Sequence, residues 1–96
     1  MNYEIIFSTY VNRTKKSTSK YELEQDLVTI AKVNDVQGFS LRDQLGYWAG
    51  ELEASHVLEL LDCDKAKAFS IARQLKSKYE QDAVIVRPVA STTYFI

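Results

Sequence analysis

The sequence predicts an α+β domain in which a four-stranded antiparallel sheet carries two helices on one face. Two segments have the spacing of amphipathic helices, and the segments that flank them alternate or are β-branched, as strands are. The order strand–helix–strand, twice, is the split βαβ arrangement of ferredoxin-like domains, with the first and third strands at the centre of the sheet. We expect a single domain over residues 1–96, in which residues 90–96 form a C-terminal tail.

Each predicted helix has a start signal. Ser19 and Glu22 fit a capping box, which opens an amphipathic helix that ends near Val33. Either Asp62 or Asp64 can cap the second helix, because a short carboxylate accepts hydrogen bonds from the free N–H groups of a first turn.

The strands are predicted at residues 3–11, 39–49, 56–61 and 82–89. Residues 50–54 are expected to connect the second strand to the third. Gly46 indicates a bulge or bend within the second strand, since glycine weakens a regular ladder. Pro88 cannot donate a ladder hydrogen bond, so the last strand should lie at an edge.

We call the sheet face that the helices leave uncovered the open face. It is predicted to carry the apolar Ile6, Tyr10, Val57, Leu61 and Ile85 beside the charged Glu4, Glu59 and Arg87. Five apolar side chains are more than a monomer usually exposes, so this face should be covered by a second copy, by the tail or by another protein. The alternative is that Arg87 pairs with Glu59 and the tail covers the rest.

The loop at residues 12–20 is basic and leads into a helix N-terminus. Its cations are Arg13, Lys15, Lys16 and Lys20. They could hold a phosphate or a nucleic-acid backbone, but a charge run of this kind is more often a solvated loop. Direct nucleic-acid binding is disfavoured, because the third strand lacks the RNA-recognition signature and carries Glu59. The net charge of −1 attracts neither nucleic acid nor a membrane surface.

No catalytic, cofactor or metal motif is evident. His56 is the only histidine and lacks further ligands at metal-binding spacing, so it is expected to be a hydrogen-bonded strand residue. Cys63 has no adjacent base, and as the only cysteine it excludes an internal disulfide. Glu51 and Glu53 could do acid–base work but are expected to point outward on one side of the hairpin. These observations predict a protein that is not an enzyme, has no cofactor and resides in the cytoplasm.

Part of the chain resembles small ferredoxin-like proteins of phage and prophage genomes. The similar residues lie between Gly38 and Val86 and comprise Gly46-Tyr47-Trp48, Glu51, Ser55, Val57–Leu61 and Gln81–Val86. The resemblance implies a small protein that binds and disables host machinery, such as CRISPR–Cas or another defence system. It supplies no functional residue.

The leading hypothesis from the sequence is therefore a phage-type inhibitor of a host protein in a nucleic-acid-handling defence complex. The expected contact residues are Tyr47, Trp48, Glu51, Glu53, Tyr10, Val57, Glu59, Leu61 and Arg87. Aromatic side chains dominate interface energetics, and the acidic block from Glu51 to Asp64 would meet a basic partner. The alternative is a homodimeric regulatory domain that binds a small ligand where two open faces meet.

Overall fold

The computed structural model describes residues 1–89, which form six elements. The strands are β1 (Asn2–Phe7), β2 (Gly38–Trp48), β3 (Glu51–Leu61) and β4 (Ile85–Val89), and the helices are α1 (Lys20–Val33) and α2 (Lys65–Lys78). All strand pairs are antiparallel, and the order across the sheet is β2-β3-β1-β4. The predicted ferredoxin-like α+β fold is confirmed, including the central position of the first and third strands.

Both helices begin at a side chain that caps a free backbone N–H group. Ser19 Oγ accepts from the Glu22 N–H at 3.2 Å, as the sequence predicts for α1. At α2, Asp64 Oδ1 accepts from the Lys67 N–H at 2.8 Å. Asp62, the other candidate cap, instead lies in the left-handed region with a φ of 48°.

The hydrophobic core fills the space between the two helices and one face of the sheet. Alternate residues of β1 and β3 point into it, and the core stripes of α1 and α2 pack against them. Its largest fully buried members are Ile5, Leu23, Leu27, Leu58, Leu60, Ile71 and Leu75.

Tyr79 closes one end of this core at the C-cap of α2. Its ring stacks on Phe7 with the centroids 6.1 Å apart, and its hydroxyl donates to Asp26 Oδ2 at 2.7 Å. Burial, followed by the hydrogen bond to Asp26, raises the pKa of Tyr79 above its ordinary value. The phenol is therefore a neutral donor that ties the end of α2 to α1.

Outside the β2–β3 hairpin, two strand ends differ clearly from the sequence prediction. β1 ends at Phe7 rather than Val11, and the Tyr10 N–H donates to Ser8 Oγ at 3.0 Å instead of joining the ladder. Tyr10 therefore lies in the loop after the strand and not on the open face. The last strand begins at Ile85 rather than at residue 82. The predicted tail at residues 90–96 lies outside the described residues.

The hairpin between β2 and β3 is tighter than predicted. Its turn consists of Ala49 and Gly50, which have φ values of 50° and 85°. Two successive residues with positive φ are typical of the type I′ turn, whose twist matches that of the flanking strands. The register is continuous past Gly46, which lies opposite Glu53, so the predicted bulge at Gly46 is wrong.

Candidate functional site

β2 and β3 continue past the end of β1 as a two-stranded ribbon. The last residue of β1, Phe7, lies opposite His56, whereas the β2–β3 register runs on from Gln44 to the turn. We call residues 44–55 the distal ribbon. No third strand of the described chain lies beside the distal ribbon, and most of its residues are exposed. Both of its faces, which we call its two sides, are therefore accessible.

One side of the distal ribbon is apolar and continues the helix-covered face of the sheet. Tyr47 lies opposite Leu52, and Leu45 lies on the same side two residues earlier. The three side chains are 69 to 72 % exposed. The sequence analysis identified Tyr47 but missed Leu45 and Leu52. The available signal was the spacing of two residues between Leu45 and Tyr47, which places both on one side of a strand.

The other side of the distal ribbon is acidic and continues the open face. Glu51 and Glu53 are exposed there, two residues apart on one strand, so they point to the same side as predicted. Trp48 lies opposite Glu51 in the register. The predicted role of the Trp48 side chain as an anchor lies outside the described part of the structure.

An aspartate–histidine pair lies at the base of the distal ribbon. His56 Nδ1 is 2.8 Å from Asp43 Oδ1, and the two residues are direct cross-strand partners. The His56 ring also lies against Phe7, with the centroids 5.6 Å apart. The expected hydrogen-bonded strand histidine is thus observed, with a partner that the sequence did not identify.

The open face carries a chain of charges that spans the sheet. Glu4 Oε1 accepts from Arg42 Nη2 at 2.8 Å, and Glu4 Oε2 accepts from Arg87 Nε at 2.9 Å. These two hydrogen bonds, first Arg42 and then Arg87, hold the pKa of Glu4 below its ordinary value. The alternative in which Arg87 pairs with Glu59 is wrong, because Arg87 pairs with Glu4, which lies directly opposite it.

The apolar part of the open face is less exposed than predicted. Ile6 and Leu61 are half-buried, and Val57 is fully buried although it points away from the helices. Only Ile85, which is 54 % exposed, leaves most of its side chain in solvent. The predicted assignment of strand residues to the two faces is therefore correct. The exposed apolar surface of the open face is smaller than predicted, because the five side chains are not all exposed.

The basic loop is anchored to the end of α2. Arg13 donates through Nε and Nη2 to the two carboxylate oxygens of Glu80, at 3.1 and 2.9 Å. This pairing raises the pKa of Arg13 and lowers that of Glu80. Lys15, Lys16 and Lys20 are exposed, and a bridge between Val11 and Lys16 folds the loop on itself. One of the four predicted phosphate-contacting cations thus has a structural partner.

Residues 1–89 contain no group of three or more His, Cys, Asp or Glu side chains arranged to hold a metal ion. Cys63 is buried, and burial raises the pKa of its thiol, which opposes thiolate formation. No helix in the described range is long and apolar enough to cross a membrane.

Comparison with known proteins gives structural neighbours only: no family model and no curated protein sequence matches the chain. A phage SAM lyase in its apo state superposes with a TM-score of 0.72 and 21 % sequence identity, over 88 % of this chain and 75 % of that one. A phage SAM lyase in complex with S-methyl-5′-thioadenosine gives a TM-score of 0.62 and 17 % identity, over 88 % and 76 % of the two chains.

One bacterial and one archaeal protein share the same fold. A DUF3240 family protein from Shewanella baltica has a TM-score of 0.59 at 11 % identity, with 99 % of this chain and 96 % of that chain covered. The divalent cation tolerance protein CutA from Archaeoglobus fulgidus has a TM-score of 0.57 at 12 % identity, with 97 % and 88 % covered. The superpositions establish a shared fold, and at identities this low they establish the fold alone.

These neighbours correct one prediction from the sequence. The chain was expected not to be an enzyme, and the likeness to the phage SAM lyase contradicts that expectation. The expectation relied on the absence of a nucleophile–base motif. That argument does not exclude a lyase, because a good leaving group can depart from its substrate without attack by a protein nucleophile.

Proposed function

We propose that this chain is an enzyme of the S-adenosylmethionine lyase type. The observation that carries the proposal is the likeness of the βαββαβ domain to the phage SAM lyase, one structure of which holds S-methyl-5′-thioadenosine. That nucleoside is the leaving group when the bond between the sulfonium sulfur and Cγ of the amino-acid side chain breaks. The bonding electron pair goes to sulfur, and Cγ takes its new bond from within the same fragment, either from the carboxylate oxygen or as a double bond to Cβ with loss of a proton to solvent. The resemblance of residues 38–86 to phage proteins agrees with this proposal.

The charge distribution of the open face suits such a substrate. S-adenosylmethionine carries a sulfonium, an ammonium and a carboxylate group, so two of its three charges are positive. On β3, Glu51, Glu53 and Glu59 all point to the open face. None of these three carboxylates is joined to a cation within residues 1–89, in contrast to Glu4. Carboxylates favour nearby cations and also accept hydrogen bonds from ribose hydroxyls.

We assign Glu51 and Glu53 to the nucleoside end of the substrate. They are exposed on the distal ribbon, where a flat ligand can approach the backbone at Gly46, which has no side chain. A Cβ atom on Gly46 would meet only the Glu53 carbonyl oxygen, at 3.8 Å, so this part of the ribbon is open.

The test is release of S-methyl-5′-thioadenosine from S-adenosylmethionine, measured by liquid chromatography with and without the purified chain. We expect release faster than the spontaneous reaction in buffer, and a loss of about tenfold or more when Glu51 and Glu53 are both changed to Gln. Glu24→Gln, at an exposed acid of α1, is the matched control and should retain the wild-type rate. A rate equal to that of buffer alone would rule out the proposed activity.

Binding of a protein partner is a second candidate function, and it can coexist with the first. The observation that favours it is the exposed apolar set Leu45, Tyr47 and Leu52 on the distal ribbon. A tyrosine that enters a pocket of the partner is among the residues that supply most of the binding energy of an interface, and the two leucines add apolar area beside it. The partner is either a host protein or a second copy of this chain.

A further inference from the structure

The chain of charges on the open face has an unusual path. Arg42 lies on β2 and Glu4 on β1, and β3 runs between them. In the register Arg42 is opposite Val57, whereas Glu4 is opposite Glu59. The Arg42 side chain must therefore cross β3 diagonally between these two residues. Its aliphatic stem then covers Val57, which explains why that side chain is fully buried on a face without helices.

This path leaves donors of two guanidinium groups available on the open face. Arg42 uses Nη2 and Arg87 uses Nε for the contacts with Glu4, and each guanidinium has five N–H donors. The side chains are 53 % and 57 % exposed, while Glu4 between them is only 13 % exposed. Glu4 thus fixes two cations side by side with their remaining donors directed to solvent.

Glu59 adds a carboxylate next to this pair. It lies between Ser40 and Glu4 in the register, so the Arg42 guanidinium passes beside it, and within residues 1–89 it forms no ion pair. Two arginines and two glutamates give this part of the face no net charge. A phosphate would gain little from it, whereas a zwitterion can place its anionic group on the guanidinium donors and its cationic group on Glu59.

We propose that Arg42 and Glu59 bind the α-amino-acid end of S-adenosylmethionine, with Glu4 as the positioning residue that holds Arg42 in place. This inference rests on the proposed function for the identity of the ligand. The substrate carboxylate accepts from the free Arg42 donors, and its ammonium group donates to Glu59. Arg87 supports the same carboxylate from the other side of Glu4.

The assignment gives the substrate a direction on the sheet. Glu59 and Glu53 are six residues apart on β3, which corresponds to about 20 Å along a strand. An extended nucleoside–amino-acid ligand whose amino-acid end lies at Glu59 therefore runs toward the distal ribbon, where Glu53 faces the same side. The sulfonium region then lies over Ser55, beyond the Arg42 stem that covers Val57, and between two carboxylates.

Calorimetric titration with three probes tests this inference. S-adenosylhomocysteine has the amino-acid end and no reactive sulfonium, S-methyl-5′-thioadenosine lacks the amino-acid end, and methionine lacks the nucleoside. We expect the wild-type chain to bind S-adenosylhomocysteine more tightly than S-methyl-5′-thioadenosine. Glu59→Gln and Arg42→Gln should each weaken S-adenosylhomocysteine binding by about 10- to 100-fold and leave S-methyl-5′-thioadenosine binding unchanged.

Two controls keep the outcome unambiguous. Arg73→Gln, at an exposed arginine of α2, should bind all probes as the wild type does. Glu59→Gln should remain folded, because it removes a like charge directly opposite Glu4. The inference is overturned if the two nucleosides bind equally well, or if the Arg42 and Glu59 variants weaken both to the same extent.

The probes also separate this inference from the proposed function. If S-adenosylmethionine is cleaved but Glu59→Gln and Arg42→Gln change neither binding nor KM, the lyase proposal stands and the subsite is wrong. If no nucleoside binds but methionine binds and depends on Arg42 and Glu59, the subsite stands without the lyase. If no probe binds, the subsite is wrong, and the lyase proposal is decided by the release of S-methyl-5′-thioadenosine alone.

Discussion

Arg42 on β2 donates to Glu4 on β1 at 2.8 Å across the strand that separates them. Since Arg87 on β4 donates to the other oxygen of the same carboxylate, one half-buried glutamate links the central strand β1 to both edges of the sheet. Charge-assisted hydrogen bonds of this length are stronger than neutral ones. The contact therefore has a structural role besides the binding role that we assign to Arg42.

The first prediction concerns the pH dependence of this link. The folded-state pKa of Glu4 lies below its ordinary value of 4.5, so the ionised carboxylate stabilises the fold above that pH. The contribution is lost as the pH falls through the lower, folded-state pKa. We expect Glu4→Gln to reduce the free energy of unfolding by about 1–3 kcal/mol at neutral pH, measured by urea denaturation.

The difference between Glu4→Gln and the wild type should shrink toward zero as the pH falls through the lowered folded-state pKa, because the wild-type carboxyl then becomes neutral as well. Glu24→Gln, at an exposed residue of α1, is the matched control and should be as stable as the wild type at neutral pH. A deficit of Glu4→Gln that is the same at acid and neutral pH would contradict the assignment of the effect to ionisation.

The sequence predicts those features of the fold that depend on neighbouring residues. The cap at Ser19, the helical stripes and the alternation of β1 are local patterns, and the structure shows all three. The βαββαβ order then leaves few topologies, because the handedness of crossovers restricts the choice. Glu51 and Glu53 were assigned to one side of the hairpin for the same local reason, the period of two in a strand.

Contacts between strands were not predictable, because they depend on the register. A connection at residues 50–54 would centre the hairpin on Leu52 and place Arg42 opposite Asp62. The observed turn at Ala49 and Gly50 places Arg42 opposite Val57 instead. Neither the Arg42–Glu4 contact nor the Asp43–His56 pair follows from the sequence unless the turn is located to the residue.

The second prediction concerns the hydroxyl group of Tyr79. Tyr79→Phe removes the donor to Asp26 and leaves the stacking on Phe7 intact, so it should lower the free energy of unfolding by about 1–2 kcal/mol. The raised folded-state pKa means that this stabilisation is present below the ordinary value of 10.0 and is lost as the pH rises above it. The variant should lack that alkaline loss.

Tyr21→Phe is the matched control for this experiment, since Tyr21 is 71 % exposed on α1. Chemical denaturation of both variants separates the buried hydrogen bond from a general effect of losing a hydroxyl. Equal stability of Tyr79→Phe and the wild type at neutral pH would show that the Tyr79–Asp26 contact contributes nothing to the fold.

The third prediction uses the strain of the hairpin turn. Ala49 adopts a φ of 50°, which costs energy for a residue with a Cβ atom, and asparagine tolerates it better. Ala49→Asn should therefore raise the free energy of unfolding by about 0.5–1 kcal/mol. Gly50→Ala should lower it by about 1 kcal/mol through conformation alone, because a Cβ atom at Gly50 meets nothing within 4 Å. Thermal unfolding that moves both variants in the same direction would exclude the I′ turn.

The last prediction separates the two surfaces that can bind a partner. Tyr47 and Leu52 on the distal ribbon are 72 % and 69 % exposed, so the double variant Tyr47→Ser/Leu52→Ser should change the free energy of unfolding by no more than about 0.5 kcal/mol. Because the ribbon presents more apolar surface than the open face, the variant should reduce concentration-dependent self-association in sedimentation velocity. Ile85→Ser, on the open face, should not reduce it. If Ile85→Ser reduces self-association and the double variant does not, the contact between copies lies on the open face. That contact would cover Arg42 and Glu59 and compete with the ligand assigned to them.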